Sequence, residues 1–221
     1  MNKNTKKERI ARIIEELKVI YPESVCALEY GGEPWKLLVM ARLSAQCTDA
    51  RVNIVCRELF ARFPTLDDMA DGELSEIEAI VRPCGLYRTK AKSIKEACAD
   101  VRDRFGGKVP DDMEELLSLS GVGRKIANLI LGDIYGKGGI VADTHCIRIC
   151  GRLGMYPEAK KDPRHTEKVM SELMPISEQS DFCHRIVQFG RDVCTARAPK
   201  CNACPISELC EHNLKMQKNA K

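Results

Sequence analysis

The chain has 221 residues, of which 44% are hydrophobic and 30% charged, with twelve cysteines and a formal net charge of +3. That length suits one large domain or two small ones, and the composition is ordinary for a soluble globular protein. No stretch approaches the roughly 20 apolar residues of a membrane helix, and no secretory signal precedes the charged start MNKNTKKER, so the expectation is a cytoplasmic protein without a membrane partner. The small charge permits a nucleic-acid partner without requiring one. The basic residues near the ends (Lys3, Lys6, Lys7 and Arg9; Lys215, Lys218 and Lys221) read as solvated tails.

Along the chain, helical periodicity dominates. Ile10, Ile13, Ile14, Leu17 and Ile20 follow an i, i+3, i+4, i+7 pattern, as do Val52, Val55, Leu59 and Phe63. The spacing predicts helices near 6–20, 34–44, 49–63, 73–82, 88–105, 111–118, 123–135, 144–153, 164–174 and 178–192. Pro22, Gly31–Gly32, Pro64, Pro83–Gly85, Gly106–Gly107, Pro110 and Gly136–Gly139 mark the turns. No alternating run is long enough for a strand, and there is no internal repeat. The fold class is read as all-α, with the best internal boundary at Gly136–Gly139.

The segment LSGVGRKIANLIL, Leu119 to Leu131, joins two helices through Gly121 and Gly123. Glycines at such a turn let main-chain N–H groups approach an anion, and the second helix adds the partial positive charge of its N-terminus. A phosphodiester fits, bound without regard to base sequence; a plain helix connector fits the same residues. Lys125 lies in the first turn of that second helix, beside Arg124. An unprotonated amine there is a nucleophile able to form a Schiff base with a sugar carbon, while the bland alternative is one more phosphate contact. Farther on, Ala142-Asp143-Thr144-His145 leads into another helix, with Asp143 as its N-cap.

Without a secretory signal, the cysteines are expected as reduced thiols unless a metal claims them. Cys26, Cys47, Cys56, Cys84, Cys98, Cys146, Cys150 and Cys183 are scattered, mostly among apolar residues at helical spacing, and read as small buried hydrophobes. Cys194, Cys201, Cys204 and Cys210 are clustered at spacing C-x6-C-x2-C-x5-C. Four thiolates in so short a run point to one metal centre. Tetrahedral zinc usually takes two close pairs, and only Cys201/Cys204 is such a pair, so the spacing favours an iron–sulfur cube while leaving zinc open.

The hairpin, Asp143 and the four-cysteine loop, in this order and separation, resemble the endonuclease III family of helix–hairpin–helix DNA glycosylases. LSAQCTD (Leu43 to Asp49) and GLYRTKA (Gly85 to Ala91) resemble that family's DNA-facing segments, so the likeness covers nearly the whole chain. The resemblance implies a six-helix barrel domain over 27–137. It implies a second domain, 1–26 with 138–221, that carries a 4Fe–4S cluster on Cys194, Cys201, Cys204 and Cys210. Double-stranded DNA would lie across the cleft between the domains, its damaged base rotated out of the helix.

By position, Lys125 resembles the family's catalytic lysine and Asp143 its catalytic aspartate. Gln46 and Leu86 resemble the residues that fill the gap left by the extruded nucleotide. Gly121, Gly123 and Arg124 belong to the DNA-binding hairpin, and Arg197 and Lys200 match a basic loop expected on phosphates. The implied activity is bifunctional: release of damaged bases, oxidised pyrimidines first among them, and cleavage of abasic sites by β-elimination. The enzyme is expected as a monomer, associated with the nucleoid.

Two residues depart from the family pattern. Ile126 stands where Thr is usual, and Arg42 interrupts the apolar run LLVMARLSAQ. Arg42 and Ile126, together with His145, are therefore candidates for the lesion pocket. The alternative for Arg42 is an ion pair with a carboxylate such as Asp49, or a head extended to solvent. Within the superfamily, an adenine or mismatch glycosylase is the nearest alternative. Lys125, together with Ala41 where the adenine branch carries Glu, argues against it. A catalytically silent cluster-bearing DNA-binding protein is the alternative from a different class, opposed by the Lys125/Asp143 pair.

Overall fold

The structure, a computed structural model, describes residues 3–23 and 25–219; Lys221 of the basic tail lies outside them. The described residues form α-helices and short 3-10 turns, with no strand. Two compact units are present, one of residues 26–135 and one of 1–25 with 136–221.

In the unit of residues 26–135, α2 (Pro34–Leu43), α3 (Asp49–Arg62), α4 (Leu66–Asp71), α5 (Leu74–Val81), α6 (Tyr87–Phe105), α7 (Met113–Leu117) and α8 (Arg124–Asp133) enclose one core. The long helix α6 packs against α4, α5 and α2. Its Ala91, Ile94, Ala97, Cys98 and Val101 recur at helical spacing and are buried, opposite Leu38, Leu43, Ile77 and Val81 in the same cluster. Helix starts follow local chemistry. Pro34 opens α2, where a missing N–H costs nothing, and Thr48 Oγ1 accepts from Arg51 N at 3.3 Å at the head of α3.

The other unit contains α1 (Lys3–Ile20), α9 (Thr144–Arg152), α10 (Pro163–Leu173), α11 (Ile176–Asp192) and α12 (Glu211–Asn219). Ile10, Ile13, Ile14 and Leu17 of α1 are buried, and α1 packs against α10 and α11. With Ile149, Met155, Phe182, Ile186 and Phe189 they form a second core.

Helices α4 and α12 are additions to the sequence expectation. The first is only six residues long, and the second is almost entirely polar, so neither has a full apolar stripe. Six of the scattered cysteines are buried as expected, whereas Cys26 and Cys47 are only half-buried. Burial pushes the Cys56 and Cys98 thiols up to about 12, which keeps them protonated and inert at neutral pH. No helix among the described residues is long and apolar enough to cross a membrane.

Candidate nucleic-acid interface and metal centre

The hairpin is built inside the unit of residues 26–135. After α7, Val122 N closes a turn onto Leu119 O at 3.2 Å, and buried Val122 pins the turn to the core. Gly121 has φ 74, a left-handed conformation that favours glycine. Gly123 is the N-cap of α8 and, as a glycine, supplies no side-chain cap. The first N–H groups of α8 therefore have no partner inside the helix, at its positive end, which is the chemistry of an anion site. Gly121, Gly123, Arg124 and Lys125 are exposed, while Ile126 is half-buried against the core.

Gln46 and Leu86 share an unusual backbone. They are the two non-glycine residues with positive φ among those described, at 55° and 48°. Both are exposed, Leu86 at 62%. A non-glycine residue in this region costs about 1–2 kcal/mol, which the surrounding structure must offset. Fully buried Lys90 lies behind both turns. Sequence reasoning missed its role, although it falls on the apolar stripe of α6, one turn before Ile94.

Arg42 is half-buried, and its Nε donates to Ser93 Oγ at 2.9 Å, a partner not anticipated from the sequence. The same side chain lies under the hairpin, where a Cβ on Gly121 would come within 2.5 Å of Arg42 Nε.

In the other unit, Asp143 is the N-cap of α9 and its Oδ1 accepts from Cys146 N at 2.7 Å. The cap fixes the half-buried carboxylate at the helix start. His145 Nδ1 and Arg148 Nη2 hydrogen-bond at 3.1 Å, and the imidazole packs against Gly190 of α11.

The four clustered cysteines line one hollow, together with Ile149, Leu153, Phe189, Val193 and Ile206. Each is half-buried. Arg152 Nη1 donates to Cys194 Sγ at 3.3 Å and to Thr195 O at 2.8 Å, and its Nη2 to Ala196 O at 2.9 Å. This guanidinium, also missed in the sequence, ties the loop to α9 and sets a positive charge beside the sulfurs. Burial, then the like charge of neighbouring cysteines, pushes the Cys204 thiol up to about 11. Four thiolates would share this hollow only around a positive centre. An all-sulfur donor set in an apolar pocket with an adjacent guanidinium fits an iron–sulfur cluster. Arg197 and Lys200 stand exposed on the same loop.

Residues 39–175 match the model of the HhH-GPD superfamily of base excision DNA repair proteins, and residues 194–210 that of the iron-sulfur binding domain of endonuclease III. The chain is 42% identical to the endonuclease III of Synechocystis over 207 residues, covering 93% of each chain. It is similar to two solved structures, a non-covalent endonuclease III–DNA complex and a trapped endonuclease III–DNA covalent intermediate. For each the identity is 38% and the TM-score 0.88, over 96% of this chain and 98% of the other.

Proposed function

The chain belongs to the endonuclease III family of HhH-GPD base excision DNA repair proteins, and we propose that Lys125 and Asp143 carry out its chemistry. It is a DNA glycosylase and abasic-site lyase that binds DNA and carries a 4Fe–4S cluster. The observation that carries the residue assignment is the hairpin: an exposed lysine in the first turn of a helix that begins at a glycine cap without a side chain.

In this reading the main-chain N–H groups around Gly121, Gly123 and Arg124 hold the DNA backbone, and Arg197 and Lys200 take further phosphates. Gln46 and Leu86 fill the gap left by the extruded nucleotide. Asp143 stabilises positive charge developing on the sugar as the glycosidic bond breaks, and takes a proton from the Lys125 ammonium. The Lys125 amine bonds to C1′ as the bond from C1′ to the base breaks; the C1′–O4′ bond then opens, O4′ takes a proton to become a hydroxyl, and the nitrogen and C1′ form the open-chain imine. Loss of a 2′ proton and of the 3′ phosphate then cuts the strand 3′ to the lesion. Cys194, Cys201, Cys204 and Cys210 hold the cluster, which shapes the loop bearing Arg197 and Lys200.

The substrates in this reading are oxidised pyrimidines and abasic sites in duplex DNA. The enzyme works as a monomer in the cytoplasm, at the nucleoid where its substrate lies. Residues 27–137 serve as the barrel domain, and 1–26 with 138–221 as the cluster domain. The test is kinetic. Lys125→Gln is expected to lose strand cleavage while still binding lesion duplex, and Asp143→Asn to slow base release by about 10² or more. Wild-type cleavage by Lys125→Gln would refute the assignment.

A further inference from the structure

Lys90 has 0% of its surface exposed, on the buried face of α6. An ammonium in such a place is costly unless its donors are met. Here Nζ donates to Leu43 O at 2.9 Å and to Cys84 O at 2.8 Å. Leu43 ends α2, so its carbonyl is one of those with no partner inside the helix, at the negative end of the dipole. Cys84 ends the 3-10 turn Arg82–Cys84. The charge is thus spent on two main-chain acceptors from separate parts of the chain.

Those two acceptors precede the two strained residues. Gln46 follows Leu43 by three positions and Leu86 follows Cys84 by two, and both have positive φ. The half-buried thiol of Cys47 and the buried thiol of Cys84 lie beside the ammonium. Burial lowers the proton affinity of Lys90, and those two sulfurs act against that shift, while Arg42 adds to it. The main chain adds a third tie, from Lys90 N to Leu86 O at 3.1 Å. One residue therefore touches the backbone on both sides of the exposed pair.

We propose that Lys90 is a positioning residue that clamps the Gln46 and Leu86 turns to each other, so that both side chains enter the DNA as one wedge. An apolar side chain of similar length would fill the space yet bind neither carbonyl, and each turn would then relax separately. The inference rests on the reading that Gln46 and Leu86 occupy the nucleotide gap.

The experiment uses full-length, cluster-loaded protein and a duplex carrying 2-aminopurine beside the lesion, whose fluorescence rises as the nucleotide leaves the stack. Lys90→Met, Lys90→Gln and the double variant Gln46→Ala/Leu86→Ala are compared with wild type. Lys90→Met is expected to slow extrusion and duplex excision about tenfold or more, as misplaced contacts do. Lys90→Gln, which keeps one donor group, should fall between Lys90→Met and wild type. Cleavage of a single-stranded abasic oligonucleotide, which needs no extrusion, should change less than about twofold. Normal extrusion by Lys90→Met alongside an impaired double variant overturns the clamp alone. Normal extrusion by the double variant removes the gap reading on which the clamp rests. Equal losses on both substrates, or loss of helical circular dichroism in both Lys90 variants, would assign Lys90 to the scaffold and overturn the proposal.

Discussion

The hairpin turn rests directly on two side chains, since a Cβ on Gly121 would meet Arg42 Nε at 2.5 Å and Ser93 Cβ at 2.8 Å. Ser93 is buried, and its hydroxyl donates to Lys90 O at 3.0 Å while accepting from Arg42. Gly121→Ala therefore combines overpacking with a left-handed backbone that alanine tolerates poorly. It is expected to cost about 1–3 kcal/mol and to lower Tm by several degrees in a thermal melt. Arg42→Leu removes the hydrogen bond to Ser93 from under the same turn. Paired rate measurements on two different lesions should show both slowed alike, together with a lower Tm; a changed ratio between the lesions would return Arg42 to the lesion pocket. The charge of Arg42 within an apolar run was legible in the sequence. Its partner was not, because Ser93 is 51 positions away and no local pattern joins them. Lys90 was hidden for a different reason. A lysine in a DNA-facing motif reads as a phosphate contact, and only its place on the apolar stripe of α6 betrays the burial.

Helix α9 lets one residue be tested for two roles. Asp143 caps the helix through Cys146 N, and the proposed chemistry uses the same carboxylate. Asparagine caps about as well as aspartate but carries no charge. Asp143→Asn should thus keep the wild-type Tm within a degree or two while base release collapses. Asp143→Ala should lose both, with a stability cost of about 1 kcal/mol in chemical denaturation. Unchanged catalysis in Asp143→Asn would leave the residue as a cap alone. This cap was readable from Ala142-Asp143-Thr144 because N-capping is local chemistry. Most helices were readable on similar grounds, from apolar spacing and from proline or glycine at their ends. Helix α4 had a local signal too, the capping box between Thr65 and Asp68, but six residues hold too few apolar positions to set a period. The polar α12 offers none.

Each unit has its own core, and from the cysteine loop Ile206 is buried in one of them. Two 3-10 turns, Cys201–Ala203 and Ser207–Leu209, and the Arg152 fork hold the segment from Cys194 to Cys210. Removing the cluster should therefore free Arg197 and Lys200 while sparing the helices that pack through Ile149 and Phe189. Cys204→Ser is expected to lose the brown colour and most DNA affinity, with much of the helical circular dichroism retained. Iron analysis of the wild type should find about four irons per chain; a colourless, fully active zinc protein would contradict it. The cysteine spacing made a metal centre legible, but the cationic Arg152 beside it depends on how α9 packs.

The central claim, that Lys125 is the nucleophile, is tested most directly by locating the covalent bond. Wild-type protein reacted with an abasic duplex under borohydride should give a reduced adduct, digested and mapped by mass spectrometry. The account predicts the modification on Lys125, with no adduct from Lys125→Gln. An adduct on any other lysine of the wild-type chain, or undiminished trapping by Lys125→Gln, would contradict it.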